Sequence, residues 1–238
     1  MALAGMMENG GASTTRLKNK RSFLRLANRI GLGSRRSAVA QIGDRPMRAD
    51  AQRNRARLLE AAVRAFSQEG PEVTLDAIAK DAGVGIGTLY RHFPTREALV
   101  EAAYRNELAR LCDAVPELLR DLTPAEATRR WMDRFVDYMT TKRGMAGALR
   151  AVIASGRNPY EQSRGQLIAA ITTLLEAAGQ AGTLRRDIEP ADVLASLGGV
   201  SLTAGEPAQR EQAGRLLDLL MDGLRYQEHP AGPPHVCA

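Results

Sequence analysis

A chain of 238 residues with 44% hydrophobic side chains has enough apolar material for a buried core, which excludes disorder throughout and sets the scale at one or two domains. Aromatic residues make up only 4%, while Ala, Arg and Leu dominate, a balance that favours helix nearly everywhere. The net charge of +6 points towards nucleic acid, and the absence of any apolar run near the roughly 20 residues a bilayer requires excludes a spanning helix.

Most of that charge is local. Residues 1–47 carry Arg16, Lys18, Lys20, Arg21, Arg25, Arg29, Arg35, Arg36 and Arg45 against only Glu8 and Asp44, so the remainder is close to neutral. Periodicity is weak here, although SFLRLANRIGL has the pattern of a brief amphipathic helix. The segment reads as a flexible basic extension with three origins open: a phosphate-contacting arm, a targeting peptide, or upstream sequence preceding a start at Met47.

The folded part is expected to begin near Arg48, with Leu58, Leu59, Ala62, Val63 and Phe66 on one helical face and Gly70-Pro71 as its stop. Arg53, Arg55 and Arg57 lie near its start, where they could meet phosphate. In VTLDAIAKDAGVGIGTLYRHFPTR, residues 73–96, Leu75, Ile78, Ala79 and Ala82 fall at i, i+3, i+4 and i+7. Thr74 is placed to cap that helix, Asp76 suits its first turn, and Val73 with Ile78 forms a hydrophobic staple. Gly83 is expected to stop it in a left-handed conformation, and Val84 to plug the turn. A second short helix turns Leu89 and Phe93 inward and leaves Ile86, Gly87, Thr88, Tyr90, Arg91 and His92 wholly or partly outward, before Pro94 ends it.

Thr95 then opens a fourth helix through Leu99 and Tyr104 towards Val115, with Pro116 as its expected end. Thr123-Pro124-Ala125-Glu126 spells a capping box with proline at the first helical position, and Asn158-Pro159-Tyr160-Glu161 repeats the pattern with Asn as cap. Pro190 and Pro207 mark two further starts. The stripes between them are Trp131, Phe135, Tyr138 and Met139; Leu167, Ile171, Leu174 and Leu175; Val193, Leu194 and Leu197; Leu216, Leu217, Leu220 and Leu224. With a short helix near Met145 to Ser155, they describe a bundle of about five helices. No strand and no internal repeat is expected.

Catalytic chemistry has no foothold in this sequence. His92, His229 and His235 are the only histidines, and the last two belong to a Pro-rich tail. Gly85-x-Gly87 and Gly198-Gly199 lack the preceding strand of a phosphate loop, and Glu161 and Asp187 have no acid–base spacing. Cys112 and Cys237, the two cysteines, have no metal-ligand spacing and suit a reducing cytoplasm; Cys112 reads as a small core residue, with a redox role as the alternative. Neither a cofactor nor a metal site is expected.

The segment VTLDAIAKDAGVGIGTLYRHFPTREALV closely resembles the N-terminal domain of the TetR family of transcriptional repressors, over about residues 48–104 and including the LYRHF core. The resemblance implies an all-α fold: an N-terminal three-helix helix-turn-helix DNA-binding domain (48–94) followed by a helical-bundle ligand-binding and dimerisation domain (95–228), with 229–238 as a disordered tail. It places Thr74, Thr88, Tyr90, His92 and Arg96 on the phosphate backbone and leaves Gly85, Ile86, Gly87 and Arg91 for bases. Arg91 could pair with guanine and Ile86 press on a thymine methyl, but two glycines at readout positions depart from relatives with Gln or Lys there. It further implies a cytoplasmic bacterial protein that binds a double-stranded DNA operator as a homodimer. The two subunits would meet through helices at about 190–204 and 208–226, with Val193, Leu197, Leu216, Leu217, Leu220 and Leu224 as candidates. A small-molecule effector would sit among Trp131, Phe135, Tyr138, Met139, Met145 and Arg150, each also explicable as core packing. Two other readings stay open: an all-helical binding or enzymatic domain using the helix-turn-helix as scaffold, and a ligand-independent DNA-binding protein. So does activation in place of repression.

Overall fold

The computed structural model describes residues 35–204 and 207–225, the side chains of 35–48 and 207–208 excepted. The SFLRLANRIGL segment, most of the basic extension and the tail with His229, His235 and Cys237 lie outside the described residues. The chain divides into two units, 1–53 and 54–238. In the first, the backbone is helical from Arg35, well upstream of the expected start near Arg48. Ala38, Ala40 and Gln41 are good helix formers, and backbone propensity needs no apolar stripe. Asp50 accepts from Arg53 within this unit.

Nine helices are described: α1 Arg35–Gln68, α2 Leu75–Asp81, α3 Ile86–His92, α4 Arg96–Asp121, α5 Pro124–Gly144, α6 Ala146–Ala154, α7 Ser163–Gln180, α8 Pro190–Leu202 and α9 Pro207–Leu224. No strand occurs among the described residues, only an isolated bridge from Leu184 to Arg225. The fold is all-α, a helix-turn-helix unit followed by a helical bundle. Its core runs continuously from Leu58, Leu59 and Phe66 of α1, through Ile78 and Leu89, to Leu99 and Tyr104 of α4 and Trp131, Met132 and Val136 of α5. Helix α5 is the hub and packs on α4, α6, α7, α8 and α9.

Local chemistry sets most boundaries. The capping box is formed as expected: Thr123 Oγ1 accepts from the Glu126 amide at 3.5 Å and the Glu126 carboxylate accepts from the Thr123 amide at 3.1 Å. Thr95 caps α4 through the Ala98 amide at 3.1 Å. Two expectations need correction. Pro116 lies inside α4, which continues to Asp121; the missing amide donor costs one helical bond, offset by the burial of Val115 and Leu118 on either side. Asn158 does not cap α7, which starts at Ser163. Its side chain instead accepts from the Tyr160 amide at 3.0 Å, closing a local turn.

Domain contact in the second unit is close. A Cβ placed on Gly144, the last residue of α5, would lie 2.7 Å from the Ser67 carbonyl oxygen and 2.9 Å from its Cα, so glycine is what lets α5 end against α1.

Candidate functional site

The helix-turn-helix is built by a cap, a turn and two inward side chains. Thr74 has extended backbone and its Oγ1 accepts from the Ala77 amide at 3.2 Å, starting α2. Gly83, at φ +65°, reverses the chain after α2, and the Val84 amide donates to the Ala79 carbonyl at 3.0 Å. Leu89 and Phe93 are buried, which fixes how α3 is rolled on its axis. As a result Gly85, Gly87, Tyr90 and Arg91 are exposed, Tyr90 by 50%.

Ile86, Thr88 and His92 are half-buried, with Ile86 packed against the core and His92 Nε2 enclosed without a partner. A Cβ on Gly85 or Gly87 would meet nothing within 4 Å, so the chain's own packing does not require glycine there. These two positions leave the backbone open to close approach from outside. Arginines of α1 lie against the helix-turn-helix: Arg55 stacks over the Phe93 ring at 5.4 Å, Arg57 is exposed beside Asn54, and Arg64 pairs with Asp81 at 2.8 Å.

Arg96 is placed otherwise than the resemblance implied. Its guanidinium donates to the carbonyl oxygens of Val73, at 2.6 Å, and Pro71, and lies 5.0 Å over the Phe66 ring. In this structure it is a clamp from the start of α4 onto the loop before α2. Sequence reasoning missed it because carbonyl acceptors leave no mark in a sequence.

In the bundle, Trp131, Phe135, Tyr138 and Met145 are buried and Met139 is half-buried. The three aromatic residues form one run, with centroids 5.8 Å apart for Trp131–Phe135 and 6.2 Å for Phe135–Tyr138. Trp131 Nε1 donates to the Leu111 carbonyl at 3.0 Å, tying α5 to α4. Arg150 is not with them. It is exposed on α6, whose Ala148, Leu149 and Val152 face inward, and lines a groove of about 520 Å³ with Pro71, Glu72, Arg96 and Glu97.

The run extends instead to Tyr104 and Tyr160, which the spacing of the α5 stripe could not indicate because they come from α4 and a turn. Tyr138 donates to Tyr104 Oη at 2.9 Å, and Tyr104 shares a hydrogen bond of 2.9 Å with Ser163. Burial, then the bond to Tyr104, holds the Tyr138 phenol well above its ordinary range.

Cys112 is half-buried, and burial followed by the nearby Asp113 raises its thiol to about 11. Against an ordinary exposed cysteine, this leaves about a hundredfold less thiolate at neutral pH. Iodoacetamide labelling of Cys112, followed by peptide mass spectrometry, is expected to be about tenfold slower than that of free cysteine, because the more basic thiolate is the better nucleophile and offsets part of its scarcity.

On α8 and α9, Val193, Leu197, Leu217 and Leu224 are buried within their own subunit, which corrects their assignment as facing a partner; they belong to the core stripe. Leu216 and Leu220 are half-exposed, while Leu202 and Leu219 are exposed by 75% and 66%. A Cβ on Gly198, Gly199 or Gly223 would meet nothing within 4 Å. The open apolar face therefore runs along Ala195, Gly198, Gly199 and Leu202 of α8 and Leu216, Leu219, Leu220 and Gly223 of α9, each at i, i+3, i+4 and i+7.

Among the described residues, no group of three or more His, Cys, Asp or Glu is placed to hold a metal, and no helix is long and apolar enough to cross a membrane. Residues 58–103 match the profile of bacterial regulatory proteins of the tetR family, and residues 123–226 match that of the C-terminal domain of SbtR-like transcriptional regulators. A crystal structure of a TetR transcriptional regulator from Streptomyces coelicolor is 60% identical, with a TM-score of 0.70 over 72% of this chain and 98% of that one. A TetR regulatory protein from Mycobacterium vanbaalenii is 36% identical, with a TM-score of 0.64 over 76% and 100%. An HTH-type transcriptional regulator from Staphylococcus aureus is 43% identical over 63 residues, which span 26% of this chain and only 34% of that protein.

Proposed function

Since the chain belongs to the TetR family of DNA-binding transcriptional regulators, we propose that it binds a near-palindromic operator as a homodimer, represses transcription in the cytoplasm and is released by a small-molecule effector. The observation that carries this reading is the outward face of α3. Gly85 and Gly87 leave the backbone bare, while Tyr90 and Arg91 project beside them. A major groove admits such a helix, with the bare backbone close to the base edges and Arg91 free to take guanine O6 and N7. Thr74, Thr88, Tyr90 and His92 would fix register on phosphates.

Two-fold assembly is supported by the open face of α8 and α9. Glycine inside a helix costs about 1 kcal/mol relative to alanine, and nothing within the subunit calls for Gly198, Gly199 or Gly223. Close approach of a second copy would. A symmetric dimer then sets its two α3 helices about 34–36 Å apart, one turn of duplex, so the operator is a near-palindrome. Release follows if the effector binds more tightly to a dimer with misplaced heads; a hundredfold loss of operator affinity needs about 2.7 kcal/mol of coupling.

The test is a fluorescence-anisotropy titration of the purified chain against its own upstream DNA and a scrambled duplex, at two salt concentrations. Preferential binding to the native duplex that weakens with salt is expected, and Arg91→Ala is expected to cost about 1–3 kcal/mol of that preference. Equal weak binding to both duplexes, unchanged in Arg91→Ala, would sink the operator-binding repressor reading.

A further inference from the structure

Lys142, in the last turn of α5, is half-buried, and burial lowers the pKa of its ammonium. It meets no carboxylate among the described residues. Its neighbours are rings: Nζ lies 4.5 Å from the centroid of Tyr160 and 5.8 Å from that of Tyr104. Tyr160 stands edge-on to Tyr104 at 5.2 Å, and Tyr104 lies 6.2 Å from Tyr138, so the aromatic run in the core ends at this cation. Half of the chain's ten aromatic residues are spent on that one run. Below the cation, the Tyr138, Tyr104 and Ser163 hydroxyls form a connected chain of donors and acceptors.

The cover over this cluster is a turn, not a helix. Residues 155–162 join α6 to α7, and Gly156 at φ +83° supplies a conformation that other side chains resist. Tyr160 belongs to this turn. So does Arg157, whose ion pair with Glu101 of α4 is long, at 3.4 Å, and shared with the shorter Arg105–Glu101 pair at 2.7 Å.

We propose that Lys142 anchors a binding site for a flat organic anion, an aromatic carboxylate, which displaces the Tyr160 turn and lies against the Tyr104 ring with its polar substituents on the Tyr138–Tyr104–Ser163 hydroxyls. The sign of the ligand follows from Lys142, a cation partly withdrawn from water that meets ring faces and, among the described residues, no carboxylate. Its flatness follows from walls made of ring faces and edges. Among the described residues Lys142 is the one cation stacked on these rings, and a single ammonium suits a monoanion better than a phosphate, which draws several. The regulatory consequence rests on the repressor reading above. Moving the turn frees Glu101 from Arg157, and Glu101 sits five residues after Arg96, the clamp on the helix-turn-helix, so α4 connects the two sites.

The experiment is isothermal titration calorimetry of the full chain with sodium 4-hydroxybenzoate and 6-hydroxy-2-naphthoate, each beside its neutral carboxamide, repeated in Lys142→Met and Lys142→Arg. At least one acid is expected to bind saturably and at least tenfold more tightly than its amide, with the preference lost in Lys142→Met and kept in Lys142→Arg. Absence of saturable binding by both acids, equal binding of acid and amide, or an undiminished preference in Lys142→Met would overturn the site. Circular dichroism melts show whether each variant is folded, and where Lys142→Met is not, Lys142→Gln takes its place, with the same loss of preference expected and the same undiminished preference overturning the site. The operator titration, run on the same preparation without ligand, separates the two readings. Specific DNA binding with no response to the acids removes this site alone, while acid binding without operator preference removes the repressor reading and leaves the site standing.

Discussion

Trp131→Ala is expected to lose about 3–5 kcal/mol of stability, the largest effect of any single substitution considered for this chain. The indole is fully buried, and its Nε1 is bonded to the Leu111 carbonyl at 3.0 Å, so truncation opens a cavity at the contact of α4 and α5 and removes that bond. Partial collapse is resisted because Phe135, 5.8 Å away, is itself held in the same run by Tyr138. Urea denaturation followed by far-UV circular dichroism checks this, since the variant lacks the chain's only tryptophan. A loss below about 1 kcal/mol would mean that the α4–α5 contact repacks freely, contrary to the close-packed core described.

Gly144→Ala is expected to destabilise by about 1–3 kcal/mol, the range for forcing extra volume into a packed contact. The new methyl would meet Ser67 main-chain atoms at 2.7 and 2.9 Å, and main chain cannot swing aside as a flexible side chain can. Since Ser67 is near the end of α1, the displacement passes to the helix that supports α2 and α3, and operator affinity is expected to fall with stability. Gly165→Ala is the control of opposite sign. That position is in α7, and its added Cβ would meet nothing within 4 Å, so alanine should raise stability by about 0.5–1 kcal/mol. Parallel urea melts of the two variants check both signs; equal shifts would show that contact with α1 is not what glycine serves at 144.

The parts of this fold legible in the sequence are those governed by neighbours along the chain. Thr74, Thr95 and the Thr123–Glu126 box reach amides three residues away, so sequence spacing alone locates them, and Gly83 announces its own left-handed turn. The inward roll of Leu89 and Phe93, and with it the outward face of α3, follows in the same way. What is illegible depends on distant partners or on competition between neighbouring ones. Pro116 reads as a stop until Val115 and Leu118 are seen packed on both sides of it. Asn158 reads as a cap, and its choice of the Tyr160 amide two residues on is a competition that sequence spacing cannot decide. Leu216 and Leu217 are adjacent in one apolar stripe, and only the placement of α5 and α8 determines that Leu217 enters the core while Leu216 stays half outside. Nothing in the sequence marks the meeting of Lys142 and Tyr160, since neither belongs to an apolar stripe.

The Arg96 clamp bears on how freely this region can vary over generations. Its acceptors are the carbonyl oxygens of Pro71 and Val73, groups that every amino acid carries, so the clamp follows the path of the chain and is blind to the side chains along it. Exposed Glu72 can therefore drift through many identities with the loop still held. Arg96 has no such freedom: lysine at that position offers no planar fork to span two carbonyls and stack on Phe66 at once. The loop's variability and the arginine's constancy would be two signatures of one contact.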